Sequence, residues 1–245
     1  MPENTEGLES LFQTYDAIVF FDTETTGFDG GKDQIIELAA IRVGRDGSRR
    51  EMDEFVKLSE GKRVPEKIVE LTHITDEMLA RYGKAEIEVA EIFSGFLDGE
   101  RVLLAAHNAQ FDLNFVAWLF IRYRKGHPEW LARFNAADYL DTLTVYKDRA
   151  KYPHKLADAI KLYGLEDKVQ NTHRAIDDVA ALLEITRAMG MQRDDLPGYV
   201  NLFGYNRKYG ISGSSLKKVS YHPQGFRNGI VPPEQTLPAL IQRDK

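Results

Sequence analysis

At 245 residues and 43% hydrophobic composition, the chain is long enough to build one sizeable core with an appendage. It has no cysteine, which excludes disulfides, thiolate catalysis and cysteine-ligated zinc. No apolar run reaches the ~20 residues of a membrane span, and the opening MPENTEGLES lacks a signal-peptide layout, so the reading is a soluble, cytoplasmic protein with no membrane partner. The net charge of -6 argues against a nucleic-acid partner until the charge is located: residues 199–231 contain no acid and carry Arg207, Lys208, Lys217, Lys218 and Arg227.

In chain order, residues 1–14 read as an N-terminal extension. AIVFFD (17–22) is a short apolar run ending in the turn-like TTGFDGG and predicts a central strand. IIELAAIRV (35–43) and DEFVKL (53–58) predict further strands, with Arg45–Asp46–Gly47 as a hairpin turn. Pro65 opens a short helix, and Thr75–Asp76 cap another. AEIEVAEIFSGFL (85–97) has helical spacing and stops before Gly99. RVLLAAHN predicts a strand followed by a helix from about Asp112 to Tyr123. A last strand over 136–140 and helices over 141–149, 155–163 and 174–189 complete an α/β layer fold with a central mixed sheet flanked by helices. Composition changes after Gly190, which sets a boundary between a domain over 15–190 and a basic, aromatic C-terminal extension over 191–245.

Acids fall where the apolar pattern calls for hydrophobic side chains. Asp22 and Glu24 are two residues apart at a strand end and point to one side with Ile18 and Phe20. They can share a cation; turn chemistry is the competing reading. Asp112 heads the face carrying Phe115, Val116, Leu119 and Tyr123, where ligation and N-capping both remain open. In the last helix Asp178 falls in the inward stripe of Ala175, Leu182, Ile185 and Met189, while Asp177 points away. His173 lies just ahead of that stripe, where a structural role competes with a catalytic one. Buried carboxylates without a cation cost several kcal/mol. A pair of hard divalent ions, Mg²⁺ or Mn²⁺, answers that cost and suits oxygen ligands at a hydrolytic centre.

Asp22–Thr23–Glu24–Thr25–Thr26–Gly27, His107–Asn108–Ala109 with Phe111–Asp112, and His173–Arg174–Ala175 with Asp178 resemble the three motifs of the DEDDh exonuclease superfamily. Among its members the likeness is to the proofreading epsilon subunit of bacterial DNA polymerase III, the exonuclease region of its Gram-positive counterpart, and ribonuclease T, over about residues 15–189. Asp141–Thr142–Leu143 and HKLADAIKLYGL are also similar to this family. The resemblance implies a ribonuclease-H-like fold and metal-dependent 3′→5′ hydrolysis of nucleic acid. DNA is the favoured substrate, in proofreading or repair, and RNA trimming is the alternative. It assigns Asp22, Glu24, Asp112 and Asp178 as metal ligands and His173 as general base. Thr25 and Thr26 would hold the terminal sugar, Phe111 would stack on a base, and His107 and Asn108 join them as substrate contacts.

His73, in LTHIT, stands where many relatives have glycine and reads as a surface substitution, with substrate contact as the alternative. In the tail, Tyr199, Phe203, Tyr205, Tyr209, Tyr221 and Phe226 alternate with bases, which suits a single-stranded partner with a free 3′ end; packing on the domain or on a second copy, as in a homodimer, competes with that. The tail does not resemble a polymerase-tethering segment, so a polymerase partner finds no support there. A catalytically silent nucleic-acid-binding module and a phosphohydrolase of small esters are the rival functions. Intact acids and base argue against the first, and the HNAQFD motif and basic tail against the second.

Overall fold

The computed structural model describes residues 5–169, 174–202, 205–206 and 210–211. Five segments, β1 (Ala17–Thr25), β2 (Ile35–Gly44), β3 (Arg49–Phe55), β4 (Val102–Ala106) and β5 (Asp138–Asp141), form a mixed sheet. Its order is β3-β2-β1-β4-β5. The β1/β2 and β2/β3 pairs are antiparallel, and the β1/β4 and β4/β5 pairs are parallel. β1 is therefore central, which is why Ala17 to Phe21 are apolar on both faces and wholly buried.

Helices cover both faces. In chain order they are α1 (Glu9–Phe12), α2 (Glu66–Thr72), α3 (Asp76–Tyr82), α4 (Glu86–Phe96), α5 (Ala109–Tyr123), α6 (Pro128–Ala136), α7 (Thr142–Arg149), α8 (Leu156–Leu162) and α9 (Ala175–Gln192). Val19 and Phe21 face the layer built by α4, α5 and α6, with Phe93, Phe115, Phe120 and Phe134 in one core. Ile18 and Phe20 face the other layer, where α9 lays Val179, Leu182, Ile185 and Met189 across β1 and β2. The inward stripe expected of the last helix is the buried face observed. None of the helices among the described residues is long and apolar enough to cross a membrane.

Several elements differ from expectation. β3 runs over Arg49–Phe55 rather than 53–58, because pairing with β2 starts at Val43↔Arg49 directly after the turn. Its sequence RREMDEF hides this: it is an edge strand, and Met52 is its one buried residue. α5 starts at Ala109, three residues ahead of Asp112. α6, opened by Pro128 at its first position and anchored by buried Trp130 and Phe134, escapes the periodicity because it buries so few side chains.

The core reaches beyond 15–190 at both ends. Leu8, Leu11 and Phe12 pack with the α9 layer, and a Cβ at Gly190 would sit 1.7 Å from the carbonyl oxygen of Gly7, itself at φ +77°. Only glycines allow that approach of the N-terminal segment to α9. Beyond α9, Leu196, Tyr199 and Val200 join the same core. Tyr199, counted with the tail's stacking aromatics, is 2% exposed and its hydroxyl donates to Asp148 at 2.7 Å, so it offers no face to a base. Tyr205 lies in β6 (Tyr205–Asn206), which pairs with β7 (Gly210–Ile211). Phe203, Tyr209, Tyr221, Phe226 and the bases Arg207, Lys208, Lys217, Lys218 and Arg227 lie outside the described residues.

Candidate active site

β1 carries two carboxylates to its C-terminal end on the α9 side, following the alternation that puts Ile18 and Phe20 there. α9 brings Asp178 from above. Asp22, Glu24 and Asp178 each offer an oxygen, and these oxygens all lie within 4.8 Å of one another. Like charges at that spacing repel strongly in a half-buried site. Burial, then the charges of Asp112, Asp178 and Glu24, push the Asp22 carboxyl well above its ordinary range. Burial, then Asp178, Glu37 and Asp112, push Glu24 up to about 8.

Asp112 arrives from the opposite layer. Its Oδ1 accepts the backbone N–H of Thr23 at 3.0 Å and the Thr23 hydroxyl at 2.7 Å, which ties α5 to β1 between the two strand acids. Burial lifts its carboxyl to about 7 despite those hydrogen bonds. Asp112 is not the N-cap: that task falls to Asp141, whose Oδ1 accepts from Asn108 N at 3.0 Å and Ala109 N at 3.2 Å. Asp141 also caps its own helix through Leu143 N and accepts from the Thr144 hydroxyl. It thereby locks the starts of α5 and α7 together.

The donor set fits hard divalent cations. It consists of carboxylate oxygens whose negative charges oppose one another, and burial with that mutual repulsion raises the proton affinity of Asp22 and Glu24, a cost that a bound cation would relieve. Asp22, Glu24 and Asp178 would hold such ions, with Asp112 beside them.

The other residues singled out by sequence fall as follows. His173 lies outside the described residues. His107 has both ring nitrogens engaged, Nδ1 with the Thr142 hydroxyl at 3.0 Å and Nε2 with the His154 carbonyl at 3.2 Å. A carbonyl only accepts, so Nε2 carries the proton, and burial lowers the ring's pKa. His107 therefore braces the β4–α5 junction rather than presenting a nitrogen to a ligand. Asn108 is exposed at φ 68°, a left-handed position that asparagine tolerates. The Thr25 hydroxyl donates to Gly27 O at 2.7 Å; that of Thr26 accepts from Gln34 N at 3.0 Å and keeps its own proton to give. Phe111 is half-buried and meets Phe28, 77% exposed, edge-on at 6.3 Å. His73 is the exposed C-cap of α2 at φ 60°, the backbone region that glycine fills without strain.

Two site residues went unread in the sequence. Phe28 gave no signal beyond its place in a turn. Glu37 gave one: an acid inside the apolar run IIELAA, where it proves fully buried and pairs with Arg174.

Fold and site together define a nuclease of the hydrolase class, an α/β protein with acids massed at the end of its central strand. The chain belongs to the RNase T exonuclease family, whose model matches residues 19–186, within the DEDDh superfamily of 3′→5′ exonucleases. It is 34% identical over 197 residues to the PolC-type DNA polymerase III of Staphylococcus haemolyticus and, equally, to that of Staphylococcus aureus; the match takes in 78% of this chain and 12% of either relative. Among solved structures, an Escherichia coli exonuclease I–single-stranded DNA complex superposes with a TM-score of 0.65 at 20% identity, over 76% of this chain and 42% of that one. Cell-death related nuclease 4 superposes with a TM-score of 0.57 at 16% identity, over 73% and 65%. These likenesses show the fold.

Proposed function

We propose that the chain is a two-metal 3′→5′ exonuclease acting on single-stranded DNA. The observation that carries this reading is the convergence of Asp22, Glu24 and Asp178 within 4.8 Å, with Asp112 held against the same strand. Bound divalent cations supply a nucleophile at neutral pH and charge relief on the phosphate. The protein's own part is to place them. β1 fixes Asp22 and Glu24, α9 fixes Asp178, and the Thr23 bonds fix Asp112. His173, one residue before Arg174, is given the proton-accepting role through its motif; the ordinary pKa of an imidazole suits general-base work near neutrality.

Substrate contacts follow from exposure. Thr26 retains a hydroxyl proton for a terminal sugar or phosphate oxygen. Phe28 and Phe111 form an aromatic corner at the β1 and α5 ends of the site, suited to stacking on unpaired bases. The single-stranded DNA held by exonuclease I, whose fold this chain shares, supports that substrate class. The DNA polymerase relatives favour DNA over RNA. The catalytic domain is taken as residues 15–190 together with the flanking segments that pack into its core, Leu8 to Phe12 before it and Leu196 to Val200 after it.

The test uses end-labelled DNA and RNA oligonucleotides with Mg²⁺, Mn²⁺ or EDTA. Shortening from the 3′ end that requires the cation and disappears in Asp22→Ala is the expected result. Activity that survives EDTA refutes the metal-dependent reading, and faster decay of RNA moves the substrate to RNA.

A further inference from the structure

We propose that Glu37 and Arg174 form a positioning clamp that sets the rotation of α9, so that Asp178 faces Asp22 and Glu24. The proposal rests on the metal-site reading above. Glu37 sits on β2 directly across from Glu24 in register, yet its carboxylate is filled by the protein. Oε1 accepts from Arg174 Nε at 3.0 Å and Nη2 at 2.6 Å; Oε2 accepts from Arg174 Nε at 3.3 Å and from the backbone N–H of Ala175 at 3.0 Å. With its oxygens so occupied and no solvent exposure, Glu37 is a fifth acid beside the site that does not serve as a ligand.

The consequence lies in helix geometry. Ala175 is the first residue of α9, and the N-cap Arg174 supplies no side-chain cap of its own. Glu37 supplies that cap from the sheet, at the positive end of the helix dipole, while the guanidinium fork lies over the Phe55 ring at 5.0 Å and fixes the approach direction. Asp178 follows Ala175 by three residues and shares its buried face. Each residue turns the helix by about 100°, so a slip of one position would bring Asp177 toward the strand acids and carry Asp178 away. Tethering the first turn at two points prevents that slip. Hydrophobic packing of Leu182 and Ile185 sets the helix against the sheet but grades rotation more loosely, since apolar contact has no direction.

The test titrates Mn²⁺ into the full chain without nucleic acid, read by electron paramagnetic resonance, alongside kcat and KM on a single-stranded oligonucleotide. Glu37→Gln keeps an acceptor for Ala175 N and loses the charge pair. Arg174→Lys keeps the charge and loses the fork. Both are expected to weaken Mn²⁺ binding and lower kcat by about 10–100-fold, the range for residues that orient metal ligands, with KM within about threefold. The Glu37→Gln/Arg174→Lys double variant is expected to be no worse than either single change, because the pair acts as a unit. Arg174→Lys, at a side chain 33% exposed, retains the fold even if Glu37→Gln does not. Wild-type Mn²⁺ affinity and kcat in folded Arg174→Lys would overturn the clamp and leave the metal site standing; a wild-type chain that binds no Mn²⁺ would overturn both.

Discussion

Removing divalent cations should make the folded chain lose stability as pH rises through the neutral range. The buried carboxyls bind protons more tightly folded than unfolded, since their folded pKa values are raised. The resulting stabilisation is complete below their unfolded values, is lost as pH climbs through the window, and is gone above the folded values. For Asp112 the window runs from 3.8 to about 7, and for Glu24 from 4.5 to about 8. At about 1.4 kcal/mol per pH unit, the Asp112 carboxyl, 2% exposed, alone accounts for about 4 kcal/mol. For a domain of this size that is a fall in Tm of about 10 °C. The assay is thermal unfolding in EDTA at steps between pH 4.5 and 8.5, repeated with saturating Mg²⁺. The cation replaces the protons, so the decline should be largely reversed; a concentration a hundred times Kd restores about 2.7 kcal/mol. Asp112→Asn, neutral at every pH, should flatten the decline in EDTA. A Tm independent of pH in EDTA, or an equal slope in Asp112→Asn, would refute the electrostatic account of the site.

Other expectations follow from single contacts. Asp141→Ala removes the acceptor for Asn108 N, Ala109 N, Leu143 N and the Thr144 hydroxyl, and should cost about 2–4 kcal/mol in urea unfolding; a loss under 1 kcal/mol contradicts its double-capping role. Phe28→Ala should leave Tm unchanged, because the ring is 77% exposed, and raise KM for a single-stranded oligonucleotide about tenfold. Unchanged KM would remove Phe28 from substrate binding. Thr23→Val deletes the hydroxyl bond to Asp112 and keeps the backbone one, so Mn²⁺ affinity should fall several-fold with about 1 kcal/mol of stability. Calorimetry showing wild-type affinity would show that the backbone bond alone holds Asp112.

Much of the framework was legible because it is periodic. Alternation along AIVFFDTE placed Asp22 and Glu24 on one side, and the 3.6-residue stripe of α9 separated Asp178 from Asp177; both arrangements are observed. Elements that bury little left little trace, as with charged β3 and α6. Residues whose partners are remote in sequence were misjudged for a different reason. His107 reads as a ligand-facing histidine until Thr142 and the His154 carbonyl, 35 and 47 residues away, claim its two nitrogens. Tyr199 reads as a tail aromatic until Asp148 takes its hydroxyl. Residues 1–14 carry no strong pattern, yet Leu8, Leu11 and Phe12 complete a core that forms only when α9 is present.

From sequence alone came the acids, their order and the face each occupies, because side-chain direction follows from local backbone repeat. Tertiary structure decided which acids meet and which are consumed. Asp22, Glu24 and Asp178 converge because a central strand and a helix more than 150 residues later pack together. Glu37 and Asp141, chemically identical to ligands, are spent on Arg174 and on helix ends. A carboxylate's role is set by which donors reach it first, and those donors arrive through folding rather than through neighbouring sequence.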